Sequence, residues 1–489
     1  MIIIVFPTFL PYYLYMKRFS ANFVGRENEI KELEKCYNSG RSEFLSVYGR
    51  RRVGKTFLIR NMFSDEFSFY VSGVINGNLK EELSVFYNAL KEYGYNGSLP
   101  LNWMDAFSCL DTLIKSKEKE KRCIVFIDEI SSFDTPRSNF IRALEYFWNV
   151  KGSCYDNLLF IISGSATHWV VNKVINDRGG LHNRVTKQMH IKPFKLKEVE
   201  EYGKKYNSSW SRLQYIEMYS VLGGIPFYWD KIDFELTVEE NIDNLFFSRD
   251  AEMVGEYSNL YRSLFKKPEP YIAVIKALAS KGEGLTRKEI IDKSKIQSGA
   301  ELTQLLTDLE NCDFIRSYNR KNKSNNSIYQ LIDFFTLFYL NFHPYMKKDG
   351  LWWRKNMLAP QINTWYGLSF ERICVSHIEE LLFALHLDSI NTQVYSWRSS
   401  RESRGAQIDI VIDRADNIIT LCEVKYSRGL YHLTKEEYLK LQNRIEMFQA
   451  EEKGKIKKGI QYVLITNYGL SQSQYNSIFS KVITFDSLF

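Results

Sequence analysis

The sequence predicts an α/β protein: a parallel sheet with helices on both faces over residues 20–195, a run of helices after it, and a second α/β domain at the carboxyl end. Three observations lead there. Residues 49–56 read Gly-Arg-Arg-Arg-Val-Gly-Lys-Thr, a complete G-x-x-x-x-G-K-[ST] phosphate-binding loop. Apolar runs of strand length at 43–48, 67–72, 123–127 and 158–163 alternate with helical stretches, the pattern of βαβ units. Near the far end, two short apolar strands carry Asp409 and Glu423-Val424-Lys425, joined by a turn at Arg414–Asn417.

The chain has 489 residues, 45% of them hydrophobic, so several ordinary cores are within reach. A net charge of +7 permits nucleic-acid binding at this length without arguing for it. The seven cysteines form no C-x-x-C pair, so neither a zinc ribbon nor a disulfide framework is indicated, and the pattern suits a reducing cytoplasm. Residues 1–15 are uncharged and broken by Pro7 and Pro11. They are too short for a membrane helix, and their positive charge follows the apolar run, unlike a signal peptide. Residues 1–19 are expected to be a disordered leader or an artefact of the translation start, with Met16 the alternative beginning. No membrane association is expected.

In chain order, Asn28–Cys36 is an amphipathic helix ahead of the first strand. The phosphate loop follows that strand. Its glycines let backbone N–H groups wrap a phosphate, as do the residues between them, Arg50, Arg51, Arg52 and Val53. Lys55 reaches the β- and γ-phosphates of ATP, and the Thr56 hydroxyl is a Mg²⁺ ligand. The strand Ile124–Ile127 ends in Asp128-Glu129. Asp128 is assigned to the metal shell and Glu129 to the general base that polarises water. The strand at 158–163 runs into Gly164 and Ser165, the latter placed to sense the γ-phosphate. Arg178 and Arg184 follow in a glycine-rich loop as arginine-finger candidates.

Residues 196–268 read as a helical lid, divided by Gly223-Gly224-Ile225-Pro226. Residues 269–332 give three short helices, Tyr271–Ser280, Thr286–Ser294 and Gly299–Cys312, then a hairpin, which is the winged-helix layout. Thr286 with Glu289 is a capping box. The third helix carries Glu301, Asp308 and Glu310 and no Lys or Arg, so it is a poor reader of DNA. The wing, with Arg316, Arg320, Lys321 and Lys323, is a better one. For the helix an internal role, closing over the nucleotide, is favoured. Residues 333–366 are an aromatic connector around Trp352-Trp353.

The last domain, 367–489, opens with a helix over Gly367–Leu387 and continues with strands at 392–397, 407–413, 418–426 and 460–466 and a helix near Lys435–Gln449. Residues two apart in a strand share a face, so Glu423 and Lys425 point together, and Asp409 can join them across the hairpin. Asp409 and Glu423 would hold a second Mg²⁺ or Mn²⁺, Lys425 would orient a water, and Glu371 on the preceding helix would complete the ligand set. The plain alternative is an acid and a Glu-x-Lys on a wet hairpin. An aromatic-basic stretch, Trp397 with Arg398–Arg404, suits a phosphate backbone.

Taken together, Phe23–Ile30, the phosphate loop, VFIDEI, ISGSAT and GGIPFY resemble the archaeal-type ATPases of the AAA+/STAND class. That resemblance implies adenine contacts from Val24, Gly25 and Arg26, and a lid whose Gly224 and Pro226 face the nucleotide. Asp409, Glu423 and Lys425 resemble the D…ExK core of PD-(D/E)xK nuclease-like domains, a restriction-endonuclease-like fold. The expectation is a Mg²⁺-dependent, ATP-hydrolysing switch coupled to a metal-dependent nuclease domain acting on DNA or RNA. An unidentified protein client and oligomerisation in the ATP state are also expected. The alternative is a signalling or scaffold ATPase whose nuclease-like domain is inactive and only binds nucleic acid or protein.

Overall fold

The computed structural model describes residues 23–117, 122–176, 179–319, 327–346, 350–399, 406–452 and 458–489. The leader, Arg178, and the wing-tip residues Arg320, Lys321 and Lys323 lie outside them. Two compact units are present. One comprises Met1–Pro193, Asn259–Pro268 and Leu306–Asp313; the other comprises Phe194–Ser258, Glu269–Leu305 and Phe314–Phe489.

The first unit is built on strands β1 (Glu43–Tyr48), β2 (Phe67–Ser72), β3 (Cys123–Asp128), β4 (Leu158–Gly164) and β5 (Lys187–His190), in the order β2-β3-β4-β1-β5. All pairs are parallel. The unbroken apolar runs of β3 and β4 are buried along their whole length, as strands covered on both faces must be. Helices Lys55–Phe63, Leu79–Glu92, Trp103–Ser116 and Phe140–Val150 connect them. Aromatic edges fill the core, with Trp103 against Phe133 and Phe140, and Phe44 against Trp148 and Phe160. The register aligns the carboxyl ends that matter: Ser72 lies beside Asp128, and Val47 beside Ser163. Strand β5 had no sequence signal, because an edge strand reading Lys-Gln-Met-His carries no apolar run.

In the second unit, helix Arg212–Leu222 ends at Gly223, whose φ of 63° is left-handed, and Pro226 starts the short helix after it. Along the chain, helices Pro268–Ala279, Arg287–Ser294 and Ala300–Asn311, the last divided between the two units at Leu305/Leu306, lead into strands β7 (Ile315–Asn319) and β8 (Ser327–Leu331). A two-residue strand, β6 (Leu285–Thr286), joins that hairpin in the order β6-β8-β7. The Thr286–Glu289 capping box forms as expected. Phe338, Phe342, Trp353 and Trp365 pack at tilted and edge-to-face angles into one aromatic cluster within the connector.

The terminal sheet runs β13-β12-β11-β10-β9, from β9 (Thr392–Arg398), β10 (Gln407–Arg414), β11 (Ile418–Lys425), β12 (Gly459–Thr466) and β13 (Lys481–Thr484). β9, β10 and β11 are antiparallel; β11, β12 and β13 are parallel. Helix Lys435–Glu452 supplies the crossover that lets β12 lie parallel to β11. The single helix expected over 367–387 is two, Pro360–Ser376 and Ile378–Ala384, broken at His377. The fully buried His377 ring accepts from the Leu196 N–H at 2.9 Å, and burial and the nearby Lys195 charge hold its pKa down, at about 3.

Candidate functional site

The phosphate loop turns out of β1 at Gly49, whose φ is 144°. A Cβ there would lie 2.3 Å from the Ile191 carbonyl oxygen, so only glycine fits. Arg52 and Gly54 also take positive φ, 71° and 93°, curling the loop onto the helix that begins at Lys55. The buried Lys55 ammonium donates to the carbonyls of Gly49 at 2.9 Å and Arg50 at 3.0 Å, and to Ser165 Oγ at 3.0 Å. Burial pushes its pKa down, opposed by the charges of Glu129 and Asp128. Arg26, itself left-handed at φ 69°, donates to the Val53 carbonyl at 3.1 Å, tying the Val24–Arg26 segment to the loop.

The two acids at the end of β3 are held differently. Asp128 accepts from Thr56 Oγ1 at 2.7 Å, from the Ser163 hydroxyl, and from the Glu129 N–H at 3.0 Å. Burial raises its pKa, and the Ser163 and Thr56 hydroxyls oppose the rise. Glu129 sits at φ 47° and accepts from Ser165 twice, from Oγ at 2.5 Å and from N–H at 3.1 Å. Ser165 Oγ therefore links the ammonium of Lys55 to the carboxylate of Glu129. Ser163, inside β4, meets Asp128 at the end of β3, and Ser165, just past β4, meets Glu129, just past β3. Thr56 and Asp128 offer two hard oxygens in contact with each other beside a helix N-terminus. That donor set fits Mg²⁺, which takes few protein ligands and keeps phosphate oxygens and waters.

Two other expected nucleotide contacts lie outside this group of hydrogen-bonded residues. Arg184 is exposed, and Pro226 belongs to the second unit.

In the terminal sheet, Glu423 and Lys425 do share a face, with Nζ 2.8 Å from Glu423 Oε1. Arg444, on helix Lys435–Glu452, donates to both Glu423 oxygens at 2.8 and 2.7 Å, and Tyr462 OH adds a third donor at 3.1 Å. Burial would raise the Glu423 carboxyl, yet the Lys425 and Arg444 charges hold it below its ordinary value. Asp409 accepts from Gln407 Nε2 at 2.9 Å. Burial and the Glu423 charge push it up to about 6; burial and the Asp409 charge push Glu371 to about 8. The three acids sense one another, but the expected metal set of Glu371, Asp409 and Glu423 is not assembled. Both oxygens of Glu423 are engaged by cations, and no group of three or more His, Cys, Asp or Glu among the described residues is arranged to hold a metal. As they stand, these residues do not fit a metal centre.

The β7–β8 hairpin packs onto this sheet instead of standing apart as a wing. Arg316 donates through Nε to Gln330 at 2.7 Å and through Nη2 to Ser396 Oγ at 3.5 Å, and Ser396 donates to the Asp409 carbonyl at 2.7 Å. Arg316 is therefore anchored through Nε and Nη2 within the second unit, at a half-buried position rather than on a free-standing wing.

Residues 23–232 match the model of a family described as an ATPase domain predominantly from Archaea. This segment is an archaeal-type ATPase domain. An uncharacterized protein of Methanocaldococcus jannaschii is 25% identical over 412 residues, 83% of this chain and 87% of that protein. An uncharacterized ATP-binding protein of the same organism is 41% identical over 44 residues, 9% of this chain and 75% of that protein. Among solved structures, a Walker-type ATPase of Pyrococcus abyssi is similar, with 19% identity and a TM-score of 0.45, covering 66% of this chain and 97% of that one.

The ATPase domain thus contains the phosphate loop, both acids of β3 and the serines of β4. No helix among the described residues is long and apolar enough to cross a membrane. Sequence reading missed Arg444, which reaches Glu423 from a helix in the crossover; nothing in local spacing marks it. Ser163 was visible only as one of several small polar residues at a strand end, although its spacing from Ser165 would have paired each with an acid.

Proposed function

We propose that the chain is a Mg²⁺-dependent, ATP-hydrolysing switch of AAA+/STAND type whose terminal domain, of PD-(D/E)xK nuclease-like build, is its nucleic-acid-facing output. The observation that carries the first half is the hydrogen-bonded row Lys55–Ser165–Glu129 beside Thr56–Asp128. In this reading the loop N–H groups and Lys55 hold the β- and γ-phosphates, and Asp128 orients the Thr56 hydroxyl. Glu129, aimed by Ser165, takes the proton of the attacking water. A Mg²⁺ held by the Thr56 hydroxyl and Asp128 would neutralise charge developing on the phosphate oxygens. Gly25 and Arg26 border the base, Pro226 belongs to the lid, and Arg184 is the remaining finger candidate. The test is ATP turnover by the full chain with Mg²⁺, together with Lys55→Ala, which should abolish nucleotide binding. Wild-type protein that binds no ATP would refute the reading.

The output has two forms. Cleavage would use Asp409, Glu423 and Lys425, and it requires Glu423 to leave Arg444. Binding alone requires no release, and the Arg444 clamp favours it. Mn²⁺-dependent nicking that disappears in Lys425→Ala would support cleavage. Its absence in wild type on any DNA or RNA would leave binding.

A further inference from the structure

The terminal domain and the helix–hairpin segment before it bring together arginines that neither the ATPase chemistry nor the D…ExK residues use. Arg316 of β7 is steadied by Gln330, its cross-strand neighbour, and its guanidinium carbon lies 5.3 Å from the centre of the Tyr318 ring. Its Nη1 makes no hydrogen bond to a described residue. Arg372, on helix Pro360–Ser376, is only 9% exposed. It donates through Nη1 to the Leu368 carbonyl at 3.0 Å and through Nη2 to the Gly282 carbonyl at 3.3 Å, while its buried Nε has no acceptor. The two guanidiniums repel each other, and neither has a carboxylate within ion-pair distance among the described residues; Glu371 and then Asp409 act on Arg372 from farther off, and Asp409 acts on Arg316. Arg398, at the end of β9, lies 3.4 Å from Glu283 at the same junction.

Two neighbouring, partly desolvated guanidiniums with donors to spare are a costly arrangement unless an anion completes it. The planar donor fork matches a phosphate oxygen pair. The Gly282 carbonyl also accepts from Gln330 at 2.8 Å, so the same bonds that position Arg316 and Arg372 join the hairpin to the terminal domain. We propose that Arg316 and Arg372 form a seat for a backbone phosphate of a nucleic-acid strand. The hairpin would thereby be a component of the terminal site rather than an independent reader of DNA. The inference rests on the nucleic-acid-facing reading above and names the residues that grip the strand. The seat lies beside Asp409, so a strand held there passes the acidic group.

The experiment uses full-length protein, short fluorescent single-stranded and double-stranded oligonucleotides, and binding measured over a range of salt. Arg316→Gln, at a part-exposed position outside the ATP machinery, should weaken binding about 10-fold at low salt. It should also reduce the slope of log K against log salt by roughly one phosphate contact, about 0.7–0.9. Arg316→Lys, which keeps the charge, should retain the slope. ATP turnover by both variants should stay at the wild-type rate, which reports that the chain is folded. Inorganic phosphate at millimolar levels should compete far less well than an oligonucleotide; equal competition would mean a free-anion site and overturn the assignment to a strand. Arg316→Gln binding as tightly as wild type overturns the proposal, and tighter binding would make the hairpin a cover instead. Wild type that binds but never cuts removes cleavage and leaves the seat standing. Wild type that binds no DNA or RNA at low salt removes both.

Discussion

Replacing Ser165 by alanine removes one hydroxyl that serves two charged groups. Its oxygen accepts from Lys55 at 3.0 Å and donates to Glu129 at 2.5 Å, and the residue is 8% exposed. In Ser165→Ala, Lys55 keeps two backbone carbonyls. Glu129 keeps only the Ser165 N–H donor at 3.1 Å, and its Oε1 loses its partner. A hydrogen bond to a charged group contributes about 1.5–3 kcal/mol. If that energy aims Glu129 at the attacking water, its loss lowers kcat by about 10- to 150-fold, at 1.36 kcal/mol per factor of ten. ATP affinity should change much less, because the phosphate contacts of Lys55 and the loop are intact. The assay pairs steady-state ATP hydrolysis with equilibrium binding of a fluorescent ATP analogue. Ser165→Thr, which keeps the hydroxyl, should recover most of the rate. An Ala variant with kcat within two-fold of wild type, or one whose loss lies wholly in affinity, would refute the positioning role.

Other outcomes follow from single contacts. Gly49→Ala should abolish nucleotide binding and lower Tm, since its Cβ would meet the Ile191 carbonyl at 2.3 Å; near-native Tm and binding would contradict the geometry. Glu82 is fully buried, and burial raises its pKa to about 7, opposed by the Val74 N–H. An acid whose folded pKa is raised binds more protons folded than unfolded, so stability is lost as pH rises from about 4.5 towards 7. Glu82→Gln should therefore raise stability at pH 8 by on the order of 2–3 kcal/mol and leave pH 4 nearly unchanged, read by urea unfolding. Arg444→Gln leaves Glu423 buried with Lys425 and Tyr462 alone, and should cost about 2–4 kcal/mol in the same assay.

The first sheet was legible because its strands are buried on both faces and so read as unbroken apolar runs, as Cys123–Asp128 and Leu158–Gly164 do. The phosphate loop was legible because a positive φ at Gly49 and Gly54 leaves glycine as the fitting residue. Strands β5 and β13 were not, since each is four residues long with a single buried position and carries no apolar run, unlike the longer edge strands β2 and β9. The partner of the buried His377 ring, the Leu196 N–H, was not legible either, because it is far away in sequence. Both β3 acids were named from the chain alone, and so was the shared face of Glu423 and Lys425.

What the sequence by itself determined is therefore local: which residues can wrap a phosphate, which acids end a strand, which side chains alternate onto one face. Tertiary structure decided the partners. Ser165 became the link between Lys55 and Glu129 only when β3 and β4 paired in parallel. Glu423 passed from expected metal ligand to the middle of an Arg444–Lys425 clamp, because a crossover helix returns across the sheet. Arg316 passed from exposed wing to half-buried junction, because the hairpin packs against β9. Charge and hydrogen-bond energies depend on distance and burial, and both are properties of the folded chain rather than of residue spacing.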